Sequence, residues 1–250
     1  MGDERIYLDA ALGHFRDGEF DKAVHACRWG LTVYPDDGRL WEVRGLSHWM
    51  RGDLASALRA LETASVLVPL DPLAQLALAA AYAWADKPDL ARTVYRHLAG
   101  LPGFPVPLLP RLAAGLGRVG EYAAALLVCE EIVEVRPDYH PAWFGIAFYR
   151  RKLGRSVGDA IAPLARAATL APDEDVYRLN LAGCHAQAGD FPAAYRVAAT
   201  VDVASIRCPN WLRLMLPVFD AAGDAGRRDA CRRQLDGSGD AHGGECSSRP

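Results

Sequence analysis

The residues that could do chemistry in this sequence are a glycine run, a set of spaced histidines and six cysteines. GLGRVG at residues 115–120 satisfies G-x-G-x-x-G, the loop that lets backbone N–H groups approach a dinucleotide pyrophosphate. That chemistry needs a strand before the loop and a helix opening on it. RLAA precedes it instead, and Leu112, Leu116 and Val119 keep helical spacing through it. The glycines therefore read as the end of a helix and its turn, and no cofactor is expected. His14 and His48 stand 34 residues apart, with His185 further along the same spacing. Imidazoles share a zinc ion only where their nitrogens converge to about 2 Å from it. His242 and Cys246 are spaced like ligands but lie alone in a polar tail, where they are expected to be solvated. The chain has no P-loop, no H-E-x-x-H and no C-x-x-C. No serine or cysteine has the flanks of a recognisable nucleophile, and no carboxylate pair stands apart from ordinary helix surface. A catalytic reading would rest on groups such as His48 or Glu42, with the helices as an accessory or regulatory subunit of an enzyme.

The elements that carry these residues repeat. Gly52 has counterparts at Gly18, Gly120, Gly154, Gly189 and Gly223, separated by one or two periods of 34 or 35 residues. Ala57 recurs as Ala23, Ala125, Ala160 and Ala194, Pro69 as Pro35, Pro137 and Pro172, and Trp41 as Trp143. Small residues let two antiparallel helices approach, a glycine turns the chain between them, and a proline without an N–H stops the second helix. Asp36, Asp71, Asp138 and Asp173, beside those prolines, are suited to cap the next helix.

One unit, residues 38–69 (GRLWEVRGLSHWMRGDLASALRALETASVLVP), matches W-x2-L-G-x2-Y, A-x3-F and P through Trp41, Gly45, Ala57 and Pro69. Arg44, His48 and Leu61 stand in for Leu, Tyr and Phe. The sequence resembles the tetratricopeptide repeat family. The resemblance implies an all-α fold, a right-handed α-solenoid of about six to seven helix-turn-helix units over residues 1–235. The units are expected at about 4–35, 38–69, 72–101, 107–137, 140–172, 174–205 and 209–235, the last with a polar capping helix. In the third, Lys87-Pro88 replaces the glycine, with a turn two residues longer that maps Leu54 onto Leu90. A loop is expected at about 100–106, and the Gly/Ser-rich tail, 236–250, is expected to be disordered. Equivalent histidines in neighbouring units lie about 10 Å apart, one helix-packing distance, which excludes a shared zinc.

Of 250 residues, 51% are hydrophobic and 24% charged, enough for a large core. The net charge of −3 does not supply the basic stripe that grips nucleic acid. The first residues lack a secretory h-region, Ile6 stands where myristoylation needs Ser or Thr, and the longest apolar run, 72–85, is short of a membrane span of about 20 residues. A cytoplasmic, bacterial protein with no membrane contact is the expectation, the source resting on Arg outnumbering Lys. Cys27 and Cys129 occupy one repeat position on second helices, and reduced buried thiols are expected in place of a disulfide framework.

In the family, first helices line a concave groove that binds proteins or peptides. Projected from the repeat register, that groove presents Leu12, Phe15, Arg16, Glu42, Trp49, Met50, Trp84, Phe144, Phe148, Arg151 and Lys152. The resemblance thus implies a non-catalytic interaction module, an adaptor, scaffold or chaperone-like assembly factor. Its groove would hold an apolar partner segment with Trp49, Trp84 and Phe148 as anchors. A second copy of the chain in the groove, a homo-oligomer, is the other occupant the same surface allows.

Overall fold

The structure, a computed structural model, describes residues 3–237. Among them are fourteen α-helices and no strand, and the helices succeed one another as antiparallel pairs. The pairs are α1 (Asp3–Arg16) with α2 (Phe20–Val33), α3 (Gly38–Met50) with α4 (Leu54–Leu67), and α5 (Pro72–Trp84) with α6 (Pro88–Ala99). Then come α7 (Leu109–Arg118) and α8 (Tyr122–Val135), followed by the pairs α9 (His140–Lys152) with α10 (Gly158–Leu170) and α11 (Asp175–Gln187) with α12 (Phe191–Ala198). The last pair is α13 (Pro209–Ala221) with α14 (Ala225–Gly237). Residues 238–250, most of the tail expected to be disordered, lie outside the described residues.

The turn inside each pair has one physical solution. Gly18, Gly52, Gly120, Gly154, Gly189 and Gly223 all take φ between 71° and 81°, a region that costs an L side chain energy and glycine none. The residue after the glycine donates back to the first helix, as Asp53 N–H does to the His48 carbonyl at 3.0 Å. The third pair corrects the sequence expectation. Asp86, at φ 56°, fills the glycine position, and Lys87 N–H donates to the Tyr82 carbonyl at 2.9 Å. That turn has the same length as its neighbour, so Pro88 corresponds to Leu54, and no two-residue insertion exists. Aspartate is among the few residues that tolerate the left-handed region, which is why the period survives without glycine.

At three of the four expected aspartates the capping position is shifted by one residue. Asp37, not Asp36, caps α3, its carboxylate accepting from Arg39 N–H and Leu40 N–H. Tyr139 and Glu174 precede α9 and α11 where Asp138 and Asp173 were expected, and Asp71 sits at the cap of α5 without a side-chain bond to it. Within the pairs, Asp53 and Asp190 cap second helices by accepting from Ser56 and Ala193 N–H.

The chain divides into two compact units, the first ending at Ala124 and the second beginning at Ala125. In the first, one apolar cluster gathers Ala11, Cys27, Leu31, Leu40 and Val43, and the next gathers Leu46, Leu58, Leu61, Ala74 and Leu78. In the second, Phe144, Leu164, Tyr177 and Cys184 form one cluster, and Leu212, Met215, Phe219 and Cys231 anchor another under the final pair. The repeated alanines Ala23, Ala57, Ala125, Ala160 and Ala194 are fully buried at the helix contacts. Burial pushes the Cys27 and Cys129 thiols up to about 12 and raises those of Cys184 and Cys231, which leaves these four as free, unreactive packing groups.

The spaced histidines bind their own turns. His14 Nδ1 lies 2.8 Å from Glu19, His48 Nδ1 3.2 Å from Asp53 and His185 Nδ1 3.8 Å from Asp190, each acid opening the following helix. Burial lowers the pKa of His48, and Arg44 and Arg51 push the same way against the pull of Asp53. The folded chain thus takes up this proton less readily than the unfolded one, whose imidazole titrates near pH 6.5. The site favours folding above that pH and loses its contribution as the pH falls below it. Thermal unfolding at pH 7 and pH 5 should show a larger loss in wild type than in His48→Tyr, and parallel losses would contradict the assignment.

Candidate functional site

First helices present two kinds of position. One, held by Glu42, Leu76, Phe144 and Leu179, is buried, with exposures of 3%, 2%, 5% and 6%. The other, held by Arg16, Met50, Trp84, Arg118, Lys152 and Gln187 at the helix ends, is exposed in every case. The expected groove residues divide between these two classes and a half-buried third.

In the first unit, Leu12 and Phe15 are half-buried against the first apolar cluster, and Phe15 meets Phe20 edge-on at 5.6 Å. Arg16 is exposed at the end of α1. Trp49 packs partly on the second cluster, with the Arg111 guanidinium 5.1 Å above its ring. Met50 and Trp84 are 39% and 56% exposed. Glu42 is the correction here: it is enclosed, and its carboxylate accepts from Arg39 Nη1 at 2.6 Å and from Asp71 N–H at 2.7 Å. Both carboxylate oxygens are therefore engaged inside the protein, tying α3 to the start of α5, and Glu42 is not a groove contact.

In the second unit the expected residues come together around a cavity of about 320 Å³. Phe144, Ala147, Phe148, Arg151 and Lys152 of α9 line it, joined by Leu164 of α10 and Asn180 of α11. Helical spacing places four of these α9 residues on one stripe. Phe144 is buried in the cluster and packs on Tyr177 at 5.1 Å, so it serves as the cavity floor rather than a free anchor. Phe148 stands 6.5 Å from Phe144 and is only half-buried. Lys152 Nζ lies 5.5 Å from the Phe148 ring, and Arg151 reaches Gln187 Oε1 at 3.4 Å. Among the described residues neither cation has a carboxylate within ion-pair distance, whereas neighbouring Arg150 is taken up by Glu130 at 3.1 Å.

Sequence reasoning missed Asn180, Leu164 and Arg111. Asn180 occupies the repeat position that Gly145 holds in the preceding pair and Arg111 in the fourth, so no residue type recurs there to mark it. Two of the three glycines of GLGRVG have structural roles: a Cβ at Gly115 would meet the Tyr95 ring, and Gly120 takes the turn. Among the described residues no group of His, Cys, Asp and Glu could hold a metal ion, and no helix is long and apolar enough to cross a membrane.

The sequence pattern of the tetratricopeptide repeat family matches residues 8–64. No curated protein matches the sequence. Among solved structures, the chain is similar to Pseudomonas aeruginosa pilF, at 16% identity and a TM-score of 0.65, over 82% of this chain and 93% of that one. It is similar to a tetratricopeptide repeat protein of Parabacteroides merdae, at 15% identity and a TM-score of 0.60, over 94% and 93%. It is also similar to YrrB, described as a tetratricopeptide repeat protein with an unusual peptide-binding site, at 15% identity and a TM-score of 0.59, over 68% and 88%. Residues 8–64 thus carry the tetratricopeptide repeat pattern, and the described residues share the helical-repeat fold of these solved structures.

Proposed function

We propose that this protein is a non-catalytic interaction module, an adaptor or assembly factor that holds an apolar segment of a partner protein against its first helices. The observation that carries this reading is the aromatic-floored cavity of the second unit, where Phe144 and Phe148 line a space of about 320 Å³ beside two exposed cations. A concave site that sets polar groups beside apolar side chains, as Arg151, Lys152 and Asn180 stand beside Phe144, Phe148 and Leu164 here, can orient as well as hold a bound segment. In the first unit, Trp84, 56% exposed at the end of α5, offers a second aromatic contact. The fold likeness to YrrB, with its peptide-binding site, points the same way. The burial of both Glu42 oxygens and the lowered basicity of His48 weigh against chemistry at those residues.

Affinity capture from the native lysate, comparing wild type with a Trp84→Ala, Phe148→Ala variant, tests the reading. A partner retained by wild type and lost by the variant, both folded by circular dichroism, is the expected result. Identical captured sets would contradict it. Sedimentation of wild type at several concentrations separates a partner protein from a second copy of the chain.

A further inference from the structure

The cavity of the second unit carries more information than its apolar walls. Arg151 and Lys152 stand at its open side, both exposed, and no carboxylate among the described residues reaches either. Asn180, only 7% exposed, lines the same space. Its Nδ2 donates to the Val176 carbonyl at 2.7 Å, an atom that can only accept, so the amide must be oriented with nitrogen toward α11 and oxygen away from it. That Oδ1 has no hydrogen bond to the described residues and is not among the atoms sealed from solvent, so it is open to accept from a bound molecule. The cavity therefore offers an aromatic floor, an unmatched acceptor and two unneutralised cations.

Resting on the reading of this face as a peptide site, we propose that its occupant is an extended segment of a partner protein with an aromatic or large aliphatic residue followed within two positions by Asp or Glu. The apolar side chain fills the space over Phe144 and Phe148. A backbone N–H of the segment donates to Asn180 Oδ1. The carboxylate lies between Arg151 and Lys152, where the planar guanidinium can take it in two parallel hydrogen bonds. Charge complementarity commits the site to an acidic segment: a basic one would bring like charges to a pair of free cations. A nucleic acid strand fits less well, since two cations on a chain of net charge −3 do not make the basic track that follows a phosphate backbone.

The test is selection from a display library of random linear peptides on the wild-type protein, on Arg151→Glu, Lys152→Glu, and on Phe148→Ala, each confirmed folded by circular dichroism. The wild type should enrich peptides with an aromatic or large aliphatic residue and Asp or Glu within two positions. The best of them should bind the charge-reversed variant at least about tenfold more weakly. It should also weaken on Phe148→Ala and with rising salt. Enriched peptides that need Phe148 but show no acidic preference and ignore the charge reversal would overturn this proposal and leave the peptide reading standing. Absence of any Phe148-dependent peptide would overturn both. Displacement of the selected peptide by oligothymidylate at matching concentration would reassign the cations to phosphate and overturn the acidic-peptide proposal.

Discussion

Replacing Gly115 with alanine is expected to lower stability by about 2–3 kcal/mol, the range for forcing an extra group into a packed contact. A Cβ on Gly115 would stand 2.4 Å from Tyr95 Cε1 and Cζ and 2.7 Å from its hydroxyl. Tyr95 cannot swing aside, because it is 2% exposed and its phenol is buried well enough to hold its pKa at about 12. Alanine gains about 1 kcal/mol of helix propensity over glycine, which is smaller than the overlap penalty. Urea unfolding of the single variant, and of the same variant with Tyr95→Leu, checks the cause. The double variant should recover part of the loss, since the two residues meet directly. Unchanged stability in Gly115→Ala would mean that α6 and α7 do not approach as described.

Glu42→Ala is expected to cost about 2 kcal/mol, chiefly because Asp71 N–H loses its acceptor. The Arg39 partner is 44% exposed, so its share is small, as for other ion pairs near water. Glu42→Gln keeps an oxygen for Asp71 N–H and should lose only about 1 kcal/mol. Chemical denaturation of the two variants separates the terms. Equal losses would put the weight on the ion pair instead. This residue also fixes how the second and third helix pairs meet, because the bond runs from α3 to the first residue before α5.

Much of the fold is legible in the residues themselves. Six turn glycines on one period mark six left-handed turns, and the alanines on the same period mark the helix contacts. The third pair is misread from sequence because Lys87-Pro88 draws attention where Asp86 does the work; a left-handed aspartate leaves no composition signal. The site is legible in part. Periodicity assigns a residue to a helix face, but whether that face position is open depends on what the next pair places against it. Phe148, Arg151 and Lys152 sit at the cavity because α11 leaves room over the end of α9. Glu42 and Phe144 share a register position that faces the following helix pair, so one becomes a buried tie and the other a cavity floor. Asn180 and Arg111 matter through contacts made at one pair only, and a repeat pattern is blind to what does not repeat.

The most direct measurement is chemical-shift mapping of the protein titrated with a peptide selected on it, repeated on Phe148→Ala. If the face of α9 and α11 is the partner site, the largest perturbations fall on residues 144–152 and around Asn180, and Phe148→Ala abolishes them. Perturbations concentrated on helices that do not line the cavity, such as α12 and α14, and unaffected by Phe148→Ala, would contradict the assignment of the partner to this face.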